Sequence, residues 1–320
     1  MCNGHVGALR DSFQSKIDSL DFLSDEAHID CDVLCDVDSS DMTPHHWQEL
    51  GRRIDKKITG IDVPKGIVVI HGTDTLAWTA AALSFMFSGL PCPIVFTGSQ
   101  RPLEVPRSDA RRNLFNALEV ALKGPHEVML VFGDKIFRGC HVSKDSIFQF
   151  DAFRSYNMPL MGHIGLDVVI SPYKSRKKPY WFDSRIDSAI AVWTLFPGQS
   201  ADIGRNIINS GVKALIVEGF GAGNVPVIDD SVLRIFEECQ SKKIPVVLSS
   251  QCRNGLVQPS LYEGGRQALK KGAIFASGMS REAIQVKIMV MLGRKIPYSK
   301  FAKEFCRSWT DEIVEPGGIQ

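Results

Sequence analysis

The chain has 320 residues, is 44% hydrophobic, and carries 37 Lys and Arg against 36 Asp and Glu, a net charge of +1. That content fills the cores of two ordinary domains and argues against disorder, while the balanced charge supplies no field for nucleic acid or an anionic membrane surface. Eight cysteines are scattered without a Cys-x-x-Cys pair, Met1 to Ser24 holds no leader-like apolar stretch, and no run approaches the ~20 apolar residues of a membrane span, so a cytoplasmic protein with reduced thiols and no metal site is expected.

His28 to Val37 sets Ile29, Cys31, Val33 and Cys35 at alternate positions, the period-two pattern of a strand with one buried face, and the two cysteines read as small buried hydrophobes. After Asp38-Ser39-Ser40-Asp41, Thr43-Pro44 supplies the N-cap and first-turn proline of a helix predicted to run to Lys57. Ile67 to Ile70 is a β-branched run suited to a central parallel strand, Thr75 to Ser88 a nearly all-apolar helix, and Pro93 to Thr97 the next strand. Arg107 to Leu122 predicts a helix with Leu114, Leu118 and Leu122 as its apolar stripe. Glu127 to Phe132 is a further strand, and Lys135 to Phe153 an irregular stretch that contains Lys144.

Between Pro172 and Asp183 the composition shifts to the basic cluster Lys174-Ser175-Arg176-Lys177-Lys178-Pro179, which reads as an exposed connector. The expected division is residues 1–171, a linker over 172–187, and residues 188–320. Beyond it, strands at Ala189 to Trp193, Lys213 to Val217, Pro245 to Leu248 and Ala273 to Ala276 are separated by helices near Ser200 to Asn209, Asp229 to Lys242, Gly264 to Lys271 and Ser280 to Leu292. This alternation predicts an α/β protein: a larger N-terminal parallel-sheet domain covered on both faces, then a smaller C-terminal α/β domain. Gly219, Gly221 and Gly223 do not form a dinucleotide fingerprint, because Asn224 stands where the last glycine belongs.

Polar residues follow directly on two predicted strands, in His71-Gly72-Thr73-Asp74-Thr75 and Thr97-Gly98-Ser99-Gln100-Arg101-Pro102. Ligands of open α/β sheets bind beyond the carboxyl ends of the strands, which is where Thr73, Asp74 and Ser99 fall. Hydrolysis of a side-chain amide needs a hydroxyl nucleophile, a group to take its proton, and donors for the developing oxyanion. Thr73, Asp74 and Lys144 have the right chemistry, although the same types also suit a helix cap and an exposed loop charge.

These motifs closely resemble those of the bacterial type I asparaginases. The resemblance runs from about Asp36 to Met279 and includes Phe137-Arg138-Gly139 through Ser143-Lys144, Phe196-Pro197-Gly198, Gly221-Ala222-Gly223-Asn224 and Gln251-Cys252. It implies a flavodoxin-like N-terminal domain and a cofactor-free hydrolysis of L-asparagine to L-aspartate and ammonia through a threonine ester. Thr73, Asp74 and Lys144 would be catalytic, and Ser39, Ser40, Thr73, Asp74 and Ser99 would bind substrate. It further implies a homodimer or homotetramer, with Tyr262 and Glu263 as candidates to reach a neighbouring subunit's site.

Two departures from the family pattern set further expectations. Its members begin with a strand running into Thr-Gly-Gly-Thr-Ile-Gly, whose first threonine is taken as the primary nucleophile, and Gly4-His5-Val6-Gly7 offers no hydroxyl in its place. The expectation is therefore half of the catalytic apparatus, in either a truncated gene product or a silent asparagine- or aspartate-binding protein, beside the enzyme reading. A basic residue of the family's effector site is replaced by Glu218, which would repel a carboxylate effector.

Overall fold

The computed structural model describes residues 14–15, 28–172, 178–228 and 231–314, and side chains outside those ranges, among them Cys2 and Gly4 to Gly7, fall outside the account. In chain order the elements are a 3-10 turn at Ser39–Asp41, α1 (Pro44–Ile58), β1 (Ile67–Ile70), α2 (Leu76–Met86), β2 (Phe87–Ser88), β3 (Ile94–Thr97), α3 (Ala110–Lys123), β4 (Val128–Phe132) and β5 (Lys135–Arg138). Short strands follow at β6 (Ser143–Lys144), β7 (Phe153–Arg154), β8 (Gly162–Ile164), β9 (Val168–Ile170) and β10 (Trp181–Phe182). The second half holds β11 (Ile190–Thr194), α4 (Ala201–Asn209), β12 (Ala214–Gly219), α5 (Ser231–Ser241), β13 (Val246–Ser250), α6 (Glu263–Lys270), β14 (Ile274–Phe275), α7 (Arg281–Gly293) and α8 (Tyr298–Phe305).

Two α/β domains result. The first has a six-stranded sheet in the order β1-β3-β4-β5-β8-β9, and the second a four-stranded parallel sheet in the order β11-β12-β13-β14. The all-parallel expectation for the larger sheet needs correction, since β1, β3 and β4 are parallel while β5, β8 and β9 pair antiparallel. Gly133, at φ +62, lets β4 turn straight back into β5, which a helical crossover would forbid.

Three other expectations change. Ile67–Ile70 is an edge strand among the described residues, and Ile70 is half exposed. His28 to Val37 is not a strand. Its backbone finds side chains instead of a ladder: Gln14 Nε2 donates to Ile29 O at 3.2 Å, Cys31 N donates to Gln14 Oε1 at 3.1 Å, and Arg53 Nη1 donates to Val33 O at 3.2 Å. Cys31 and Cys35 are consequently half-buried. The apolar helix α2 ends at Met86 because Phe87–Ser88 pairs antiparallel with Trp181–Phe182, so the second half of the expected connector is pinned and the Phe87 and Phe182 rings stack at 4.7 Å. Of the basic cluster, residues 173–177 lie outside the described ranges.

The buried face of α3 also differs from the leucine stripe. Leu114, Leu118 and Leu122 are half-buried, whereas Asn113, Asn116, Ala117, Val120 and Ala121 face the core. Both amides are matched: Asn113 Nδ2 donates to Gly98 O at 2.9 Å, Gly133 N donates to Asn113 Oδ1 at 3.0 Å, and Asn116 Nδ2 donates to Gly133 O at 2.6 Å. Buried amides persist where backbone groups need partners, and here they hold the ends of β3 and β4 together. The largest apolar core runs through both domains, from α1 and α2 to α7, α8 and the inner faces of β12, β13 and β14.

Candidate functional site

The site lies at the carboxyl ends of β1 and β3. Their close approach depends on Gly98, where a Cβ would fall 2.3 Å from His71 O, and the approach of the 3-10 turn to the end of β1 depends on Gly72, where a Cβ would fall 2.7 Å from Ser39 Oγ. His71 braces the turn between β1 and α2. Its Nδ1 lies 2.7 Å from Gly72 O, a group that can only accept, so Nδ1 carries the proton and Nε2 accepts from Thr79 Oγ1 at 2.9 Å. Burial holds His71 below the ordinary histidine pKa, in keeping with that neutral form.

On this turn, Thr73 and Asp74 stand just ahead of α2, whose first N–H groups give that end a partial positive charge. Lys144 arrives from β6, 71 residues further along the chain. Its Nζ donates to Thr73 Oγ1 at 2.8 Å and to Asp74 Oδ1 at 2.6 Å. The lysine side chain is only 15% exposed against 62% for Asp74, so the amine is enclosed while the carboxylate opens to solvent. Lys144 is thus neither a loop charge nor far from Thr73. Two neighbours fix it: Arg253 Nη1 donates to Lys144 O at 3.2 Å, and Ser143 Oγ donates to Glu282 Oε2 at 2.6 Å, tying β6 to α7 of the second domain. Burial pushes the Glu282 carboxyl up.

Ser39 joins this group. Asp74 N donates to Ser39 Oγ at 3.3 Å and Thr75 Oγ1 donates to Ser39 O at 2.6 Å. Ser40 is exposed on the same 3-10 turn, where its N–H donates to Asp38 Oδ1 at 2.8 Å. Ser99 is half-buried just past β3, on the loop that also brings in Gln100. Thr73 Oγ1 donates to Gln100 Oε1 at 3.3 Å, a contact that no residue pattern singles out. Tyr262 is exposed at the start of α6, and the Glu263 carboxylate is occupied by Arg266 and Gln267 of its own helix. Glu218 is buried and already paired, with Arg281 Nε at 2.7 Å and with Thr194 Oγ1, which donates to it at 2.6 Å. The expected repulsion of a carboxylate is therefore largely met from within the fold.

A hydroxyl, an amine within hydrogen-bonding distance and a carboxylate that orients the amine have the chemistry that a nucleophile, a base and a positioning group require. Such a set suits acyl transfer from an amide. Residues 4–176 match the family model "Asparaginase, N-terminal", and residues 189–305 match "Glutaminase/Asparaginase C-terminal domain". The chain is 36% identical over 293 residues to the L-asparaginase of Thermococcus kodakarensis, covering 91% of this chain and 88% of that one. It is also 36% identical over 284 residues to L-asparaginase 1 of Escherichia coli, covering 87% and 82%. The solved thermostable L-asparaginase from Thermococcus kodakarensis superposes with a TM-score of 0.85 at 34% identity, covering 93% of this chain and 92% of that one. The fold and both family matches define a two-domain α/β protein of the asparaginase type. The chain belongs to the asparaginase family, with both of its domains and a relation to the type I asparaginases.

Proposed function

We propose that this protein hydrolyses L-asparagine to L-aspartate and ammonia with Thr73 as nucleophile. The observation that carries the reading is Lys144 Nζ at 2.8 Å from Thr73 Oγ1 while Asp74 Oδ1 holds the same nitrogen at 2.6 Å. Lys144, as the free amine, takes the hydroxyl proton while Oγ1 attacks the side-chain carbonyl carbon. The proton passes to the leaving nitrogen, ammonia departs, and water cleaves the aspartyl ester to return Thr73. Asp74, open to solvent, receives the substrate ammonium, and Ser39, Ser40 and the Ser99 loop receive its carboxylate and amide. No step calls for a cofactor.

The protein works in the cytoplasm as a homodimer or homotetramer in which Tyr262 and Glu263 approach a neighbouring site, and its domains divide at residues 172–187. Sedimentation of the wild type against a Tyr262→Ala, Glu263→Ala double variant tests the assembly. A second reading, a pocket that binds asparagine or aspartate without turnover, draws on the solvent-open Asp74 carboxylate beside Ser39, which together could hold an amino acid with no chemical step. Calorimetric titration with L-aspartate beside an ammonia assay with L-asparagine separates the two. Ammonia release supports hydrolysis, and binding without release favours the silent pocket.

A further inference from the structure

Gln100 is the side chain that joins the Thr73 hydroxyl to the loop following Lys144. Its Oε1 accepts from Thr73 Oγ1 at 3.3 Å, while its Nε2 donates to Ser146 O at 3.3 Å and to Gln149 O at 3.1 Å. That loop, residues 145–151, is tied at its base by Asp145 N and Ser146 N donating to Ala152 O and by Lys135 and Arg154 pairing with Asp151, while its crown exposes Ile147 at 91% and Phe148 at 96%. Gln100 is itself held from behind. The buried Asp109 carboxylate accepts from Gln100 N at 3.0 Å, from Arg101 N at 3.1 Å and from Asn113 Nδ2 at 3.0 Å. Asn113 in turn fixes the ends of β3 and β4, so the clamp rests on the sheet.

We propose that Gln100 orients the Thr73 hydroxyl and clamps the loop that follows Lys144, setting the nucleophile and the lysine-bearing segment in one register. The geometry of the hydroxyl explains why such a residue is needed. Thr73 Oγ1 receives an N–H from Lys144 at 2.8 Å, so its own proton must point elsewhere, and Gln100 Oε1 is where it points. With one direction taken by a donor and one by an acceptor, a single lone pair of the hydroxyl is left to attack a carbonyl carbon. The hydroxyl proton has only to swing from Gln100 to Lys144 once the lysine is the free amine. The kinetic part of this proposal rests on the amidase reading, whereas the clamp on residues 145–151 does not.

The test uses the full chain with Gln100→Leu, which can neither donate nor accept, and Gln100→Glu, which keeps an acceptor for Thr73 but loses the donors to the loop. Kinetics of ammonia release from L-asparagine are read beside amide hydrogen exchange of a peptide covering 145–151, with one from β4 as control. Gln100→Leu should lower kcat at least about tenfold with KM within about threefold, because it disturbs orientation and not ground-state binding. Residues 145–151 should exchange several-fold faster in both variants while β4 stays unchanged, and Gln100→Glu should keep more of kcat than Gln100→Leu. Wild-type kcat in Gln100→Leu, a loss carried by KM alone, or unchanged exchange over 145–151 would each overturn the proposal. A wild type that releases no ammonia defeats the amidase reading, and the exchange at 145–151 then decides the clamp by itself.

Discussion

Lys144 can act on Thr73 only after giving up a proton, and that requirement distinguishes it from any other cation in the same place. A guanidinium could reach Asp74 and keep the ion pair, but it stays charged at every accessible pH and cannot serve as a base. Lys144→Arg should therefore leave the fold and aspartate binding nearly intact while ammonia release falls by at least about a thousandfold, as should Thr73→Val and Lys144→Met. A steady-state ammonia assay beside calorimetry with L-aspartate reads both quantities, and an active Lys144→Arg would remove the lysine from proton transfer. Thr73, Asp74 and Lys144 could be named from the sequence through the motifs that resemble a known family. Their 2.8 Å and 2.6 Å contacts could not, because they join positions 71 and 70 residues apart. Gln100 sat inside a motif already singled out, yet nothing about its type separated it from its neighbours.

At the scale of elements, α3 shows how a polar pair can outrank an apolar stripe. Asn113 is 1% exposed and its amide serves three partners, so removing it strands buried backbone groups at the ends of β3 and β4. Asn113→Ala should destabilise the protein by about 3 kcal/mol, measured by chemical denaturation, and a value near zero would contradict this role. Periodicity pointed to Leu114, Leu118 and Leu122 because it weighs only apolarity, and the backbone needs of neighbouring strands leave no trace in a helix's own sequence. Most strands and helices were legible, since β-branched runs bounded by Gly and Pro, or capped amphipathic stretches, carry their own signal. The failures were elements whose identity depends on a partner. His28 to Val37 has a strand's pattern but takes its hydrogen bonds from Gln14 and Arg53, and Phe87–Ser88 left the apolar helix to pair with β10. Helix α8 is only eight residues long, and its apolar face, Phe301 and Phe305, is too short a pattern to stand out from the surrounding chain.

Across the whole molecule, residues after α8 strap the two domains together beside the site. The buried Lys287 of α7 pairs with the buried Glu312, whose carboxylate also accepts from Trp309 N and Thr310 N at 2.9 Å and 2.8 Å. From the same strap, Asp311 O accepts from His141 Nε2 at 2.8 Å, three residues before Lys144. Burial is the main reason that the His141 pKa falls from 6.5 to about 4 in the folded protein, with Arg138 adding to the fall and the bond to Asp311 opposing it. The unfolded chain binds this proton as pH falls through 6.5, and the native protein holds out until about 4, so stability from His141 is lost across that window. The loss amounts to about 3 kcal/mol in all. Glu282, whose carboxyl is raised by burial, works in the opposite sense in acid, so the comparison must be made against a variant. The stability difference between wild type and His141→Gln should shrink by about 3 kcal/mol between pH 7 and pH 4. A pH-independent difference would show that His141 titrates alike in both states. The two-domain α/β plan was legible from the alternation of strands and helices. The antiparallel half of the larger sheet was not, because a β-hairpin and a helical crossover differ only in the short connection after β4.

The central claim, that Thr73 and Lys144 form a working amidase pair, is tested most directly by the aspartate and ammonia produced from L-asparagine by wild type and Lys144→Met under the same conditions. The wild type should form both products in equal amounts, and the variant neither above background. Equal rates in the two proteins, or a wild type that binds L-aspartate and forms no product, would contradict that claim.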